Sequence, residues 1–140
     1  AILNGEKIDV YNHGNMERDF TYIDDLVDSI FKLISVPPKK INSKKIKKLN
    51  NDSISPVAPF RIVNIGNSKN VPLMKFIEII EKELDIKAKK NFLSIQAGDV
   101  NASLASTNLL KSITNSKFNT SLQIGISKFI KWYKNYYKSN

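Results

Sequence analysis

The chain has 140 residues, 41% of them apolar, enough to fill the core of one compact piece and too many for a chain that stays disordered. It has no cysteine and a single histidine, which excludes disulfides, thiolate metal sites and any histidine-based ligand set. The formal net charge of +9 is carried almost wholly by lysine, with Arg18 and Arg61 the only arginines, whereas a nucleic-acid groove more often mixes arginine-rich stretches with exposed aromatics.

In chain order, Lys7-Ile8-Asp9-Val10-Tyr11 alternates polar and apolar residues and predicts a half-buried strand. It runs into Asn12-His13-Gly14-Asn15, a cluster with turn chemistry. Thr21 with Asp24 fits a capping box, and Asp24 and Asp25 suit the positive end of a helix. Leu26, Val27, Ile30, Phe31 and Ile34 then recur at helical spacing, predicting a helix of about three turns. Pro37-Pro38 stops it. Residues 39–58 are Lys, Asn and Ser with scattered apolar positions and no period, so an exposed insertion is expected there.

Phe60-Arg61-Ile62-Val63-Asn64-Ile65 is β-branched and ends at Gly66-Asn67, the pattern of a strand and turn. Pro72 suits a first helical turn, and Leu73, Ile77, Ile80 and Leu84 lie on one helical face as core. Phe92-Leu93-Ser94-Ile95 predicts a short strand leading to Gln96-Ala97-Gly98-Asp99-Val100, and residues 107–113 a brief helix. Thr120 or Ser121 caps a last helix with Leu122, Ile126, Phe129, Ile130 and Tyr133 on one face. Alternating strands and helices give an α/β fold, or α+β as an isolated piece.

Few constellations carry chemistry. His13 sits in a turn as a polar loop residue, and no nucleophile elbow or glycine-rich phosphate loop occurs in the sequence. Arg18 lies between a turn and a capped helix, where its guanidinium could hold a phosphate bidentately or pair with Asp19 or Asp24. Gln96-x-Gly98-Asp99 puts an amide and a carboxylate at a strand exit, which suits vicinal hydroxyls of a ribose as well as a loop turn with a helix cap.

These residues carry a resemblance. Val10-Tyr11-Asn12-x-Gly14 followed by Met16-x-Arg18-Asp19-Phe20-Thr21-Tyr22-Ile23-Asp24-Asp25 is similar to a signature of the extended short-chain dehydrogenase/reductase sugar epimerases. Ala58-Pro59-Phe60-Arg61 with Asn64-Ile65-Gly66-Asn67, then Gln96-x-Gly98-Asp99-Val100, continue it in order. Gly125-Ile126-x-x-Phe129-x-x-Trp132-Tyr133-x-x-Tyr136-Tyr137 completes it. The resemblance is strongest to UDP-glucuronate 4-epimerases, including those of capsule synthesis. Departures are Ser103-Leu104-Ala105-Ser106 where the family has Thr-x-Ala-Asp, and Asn115-Ser116-Lys117-Phe118 before the last helix.

The resemblance implies a carboxy-terminal substrate-binding part, residues 1–140, whose amino-terminal NAD-binding Rossmann domain is absent. It implies that Arg18 clamps a diphosphate, that Asp99 meets the uridine ribose with Gln96 beside it, and that Val10, Tyr11 and Asn12 line the uracil pocket. Tyr22, Asp24 and Asp25 would shape the helix. In the family a tyrosine base and NAD epimerise C4 through a 4-keto sugar, using a Tyr-x-x-x-Lys pair that this sequence lacks. The chain begins with Ala1, not Met, so those catalytic groups are expected upstream, supplied in cis or as a separate chain. The fragment alone is expected to be inactive and marginally stable, with interface motifs left uncovered. A UDP-sugar ligand, a cytoplasmic location, a homodimer of the complete enzyme and no nucleic-acid or membrane partner complete the expectation. A related dehydratase or decarboxylase, or a basic nucleic-acid module, are the alternatives.

Overall fold

Segments far apart in sequence are gathered into two units in the computed structural model, which describes residues 1–41 and 52–138. The elements in chain order are β1 (Lys7–Val10), a tight turn at Tyr11–Gly14, β2 (Glu17–Asp19), α1 (Ile23–Ile34), β3 (Asn70–Pro72), α2 (Leu73–Leu84), β4 (Lys89–Phe92), α3 (Asn108–Thr114) and α4 (Leu122–Tyr137). The first unit comprises Ala1–Tyr22, Lys69–Leu104 and Thr120–Asn140; the second comprises Ile23–Ser68 and Ala105–Asn119. The mixed α/β class matches expectation.

In the first unit, β1 and β4 form a parallel pair running from Lys7↔Lys89 to Val10↔Phe92. β2 and β3 form an antiparallel pair from Glu17↔Pro72 to Asp19↔Asn70. α2 packs against α4, and Val10, Met16, Ile77, Ile79 and Ile126 are buried. Phe20 and Phe76 stack with ring centroids 4.2 Å apart. Buried Glu81 on α2 accepts the Ala88 N–H at 2.9 Å and the ammonium groups of Lys87, at 3.2 Å, and Lys90. Lys90 lies within β4, so this carboxylate ties the helix to the strand. The Lys90 hydrogen bond, helped by Ala88 and Lys87, outweighs burial and holds the Glu81 carboxyl down at about 2.

The turn between β1 and β2 requires unusual backbone. Asn12 and His13 are left-handed, at φ 50° and 51°, and Gly14 follows at φ 83°. Gly14 is buried, and a Cβ there would lie 2.6 Å from Met74 Sδ, so any other residue is strained and has to displace the methionine. The Ser121 side chain caps α4 by accepting the Ile124 N–H at 3.3 Å, as expected.

Four expectations need correction in detail. The strand expected at residues 92–95 lies earlier, at Lys89–Phe92, because pairing with β1 sets its position and Glu81 accommodates Lys90. Pro72 precedes the first turn of α2 and closes β3, where its missing N–H is harmless. Phe129, expected in the core face of α4, is half exposed. Residues 60–65 have a strand's composition but join no ladder among the described residues.

In the second unit α1 packs against α3. The side chains turned inward are small or polar: Ser29, Thr107 and Ser116 are buried beside Leu110 and Ile54. Ser29 Oγ donates to the Asp25 carbonyl at 2.8 Å, and the Ser68 and Thr107 hydroxyls share a 2.6 Å bond. Of the predicted stripe, Val27, Ile30, Phe31 and Ile34 point outward with Ile23 beside them, each between 45% and 71% exposed, while Leu26 is half-buried; the helix of three turns is there, and most of its apolar face is uncovered within this unit. Of the stretch 39–58, residues 42–51 lie outside the described residues; at its far end Asp52 holds Arg61 through two bonds of 2.9 and 3.1 Å, and Ile54 is buried.

Candidate functional site

The end of β1, the turn after it and β2 are positioned by the β1–β4 and β2–β3 pairs, and residues 99–103 run alongside β2. The Glu17 N–H donates to the Asn101 carbonyl at 2.8 Å and the Ser103 N–H to the Glu17 carbonyl at 3.3 Å. A turn closed by the Asp99 N–H on the Gln96 carbonyl at 3.1 Å, with Gly98 at φ 83°, brings Asp99 beside β2. In this way two side chains 81 positions apart meet: Arg18 Nη2 donates to Asp99 Oδ1 at 2.8 Å.

The guanidinium is held on a second side as well. Arg18 Nη1 donates to the Glu17 carbonyl at 2.8 Å and to the Asn101 carbonyl at 3.4 Å. Asp99 Oδ1 also accepts the Val100 N–H at 2.8 Å. The two side chains are 28% and 30% exposed, so the pair is open to solvent on one side. Such a pair contributes little to stability, about 0–1 kcal/mol. Its interest is chemical: a fork of fixed direction beside a carboxylate whose Oδ2 has no partner among the described residues. The fork suits a phosphate, and the free oxygen suits hydroxyl donors.

The remaining expected residues fall into two groups. Asn12 belongs with the pair, because its Nδ2 donates to Asn101 Oδ1 at 3.2 Å and to the Asn15 carbonyl at 2.7 Å. Tyr11 is half-buried in the same turn, and Gln96 is exposed at the start of the Asp99 turn. Val10 has no exposed surface, and its carbonyl accepts the Leu93 N–H, so its side chain is core packing. Asn101 escaped the sequence reading. It links Asn12, Glu17 and Arg18, and its only signal is its place two residues after Asp99.

Among the described residues no cluster of His, Asp or Glu could hold a metal, and no helix is long and apolar enough to cross a membrane. Among the described residues, the strand-to-helix junction does not fit a dinucleotide either. The strand that runs directly into a helix, β3 into α2, does so through Pro72-Leu73, without a glycine that would let a pyrophosphate approach the backbone.

No family model matches the chain. Over 138 residues, 99% of the chain, it is 44% identical to Protein CapI of Staphylococcus aureus and 45% identical to a probable UDP-glucuronate 4-epimerase of Rhizobium meliloti. It covers 41% and 40% of those proteins, so the chain spans about two-fifths of the length of the curated relatives it matches. The fold is similar to UDP-glucuronic acid 4-epimerase from Bacillus cereus in complex with UDP-4-deoxy-4-fluoro-glucuronic acid and NAD, at TM-score 0.74 and 22% identity, over 96% of this chain and 37% of that one. It is similar also to MoeE5 in complex with UDP-glucose and NAD, at TM-score 0.77 and 21% identity, over 98% of this chain and 40% of that one. By sequence and by fold, the chain is similar to a carboxy-terminal stretch, about two-fifths in length, of the UDP-glucuronate 4-epimerase-like proteins.

Proposed function

We propose that this chain is the nucleotide-sugar-gripping part of an NAD-dependent UDP-glucuronate 4-epimerase serving surface polysaccharide synthesis, inactive until joined to the part that holds NAD. The observation that carries the reading is the meeting of Arg18 and Asp99 at the edge of β2, a cation for a diphosphate beside an acceptor for ribose hydroxyls. The 45% identity to a relative bearing that name as probable supports the choice of sugar. The same reading places the complete enzyme in the cytoplasm, as a homodimer, with the catalytic Tyr-x-x-x-Lys pair and the NAD site outside these residues.

Calorimetry with UDP and UDP-glucuronate tests it. Arg18→Ala is expected to weaken UDP binding by about 1.5–3 kcal/mol, the contribution of a charged hydrogen bond, while the thermal midpoint changes little. Asp99→Asn is expected to abolish discrimination between UDP and its 2′-deoxy analogue. Equal UDP affinity in Arg18→Ala and the parent chain takes the site away from Arg18.

A further inference from the structure

Asn101 is held both at its backbone and at its side chain. Its carbonyl accepts the Glu17 N–H at 2.8 Å and Arg18 Nη1 at 3.4 Å, so its main chain is tied to β2. Its side chain is bonded to that of Asn12, and the direction of this bond is forced. The Asn15 carbonyl, which can only accept, lies 2.7 Å from the Asn12 amide, so Asn12 turns its nitrogen that way. The same nitrogen meets the Asn101 amide at 3.2 Å, so Asn101 answers with its oxygen. Two groups are left over, Asn12 Oδ1 as an acceptor and Asn101 Nδ2 as a donor, and neither has a partner among the described residues. Asn101 is exposed and Asn12 half-buried, so both groups are open to a ligand.

One acceptor and one donor on two bonded amides select a ligand by pattern. A diphosphate offers only acceptors and would set its oxygens against Asn12 Oδ1. Ribose hydroxyls turn either way and already have the free oxygen of Asp99. The Watson–Crick edge of uracil puts an N3–H donor beside the O4 acceptor, the complement of this amide pair, whereas cytosine presents an acceptor at N3 and a donor at N4. We propose that Asn101 is a specificity-determining residue, its Nδ2 donating to uracil O4 while Asn12 Oδ1 accepts the uracil N3–H, so that the two amides select uridine over cytidine nucleotides. The inference rests on the proposed function for the presence of a nucleoside diphosphate at Arg18, and it adds the residue that reads the base and the base that is refused. Both amides are set in advance. The left-handed backbone of Asn12 and its bond to Asn15 hold the first, and the bonds to Glu17 and Arg18 hold the second, so little has to be ordered when a base arrives.

Calorimetry with UDP and CDP tests this, read as the ratio of the two affinities, in which any change felt equally by both nucleotides cancels. The parent chain is expected to bind UDP about tenfold or more tighter than CDP. Asn101→Asp keeps the oxygen that Asn12 needs and replaces the amino group with an acceptor, so the ratio is expected to fall below one. Asn101→Ala removes the donor and is expected to weaken UDP about tenfold while CDP changes little. Arg18→Ala serves as the control, weakening both nucleotides alike and leaving the ratio in place. A loosened turn would also weaken both alike, so equal losses in Asn101→Ala overturn the inference and assign the amide a structural or phosphate-binding part. A parent chain that binds UDP and CDP equally, or a ratio unchanged in Asn101→Asp, overturns it too and leaves the Arg18 site standing. A parent chain that binds neither nucleotide takes away the proposed function and this inference with it.

Discussion

The unit carrying Arg18 and Asp99 and the unit carrying α1 draw on similar residues, yet they resolve their polar backbone differently. In the first, every named strand has a partner, α2 has α4, and the one buried acid has two lysines and an amide. In the second, the described residues include a helix pair and a strand-like segment with no ladder, and the apolar stripe of α1 lies uncovered. The lesson is that amphipathic period reports which face of a helix seeks cover, not whether the cover belongs to the same polypeptide.

Substitutions that remove internal partners sharpen this contrast most in the first unit. Glu81→Gln leaves Lys90 facing a neutral amide and is expected to cost roughly 2–3 kcal/mol, a discount on the full value of a broken buried pair because Lys87 stays largely in water. Urea unfolding followed by the fluorescence of Trp132, the only tryptophan and a residue of α4, measures it. The same carboxyl predicts an acid window. Its folded value is about 2 against an ordinary 4.5, so the unfolded chain takes up the proton first. Stability from this group is complete above the ordinary value and drains away as pH falls toward 2. The slope should be shallower in Glu81→Gln, and an unchanged slope would mean the pair does not govern acid unfolding.

Gly14→Ala comes next. The left-handed backbone and the approach to Met74 together should cost about 1–2 kcal/mol in the same urea experiment, less if the methionine swings aside. Smallest is Val27→Lys on the exposed stripe, expected within about 0.5 kcal/mol for the chain alone, as for surface changes generally. A large loss there would show that the stripe is covered within this chain and would erase the difference between the two units.

Much of the architecture is legible from residue order. The helices announce themselves because Leu73, Ile77 and Leu84, or Ser121 before Leu122, combine period with boundary chemistry. The position of β4 is not legible, since Lys89 and Lys90 look like loop until β1 and Glu81 are seen beside them. Residues 60–65 read as a strand by composition because propensity is local, whereas a ladder needs a second chain segment. At the candidate site, Arg18 and Asp99 stood out as a scarce guanidinium and a carboxylate behind a glycine, but only the long-range bridge from Glu17 to Ala102 brings them together. Asn101 carries no mark of its own and becomes visible through its bonds to Asn12 and Arg18.

The bond between Arg18 and Asp99 also bears on how an anion reaches this place. A newcomer meets a seat already taken, so its arrival is a trade of one negative neighbour for another and not the filling of an empty one. Two main-chain carbonyls keep the planar cation aimed throughout that trade, so little rotamer freedom has to be surrendered at the moment of capture.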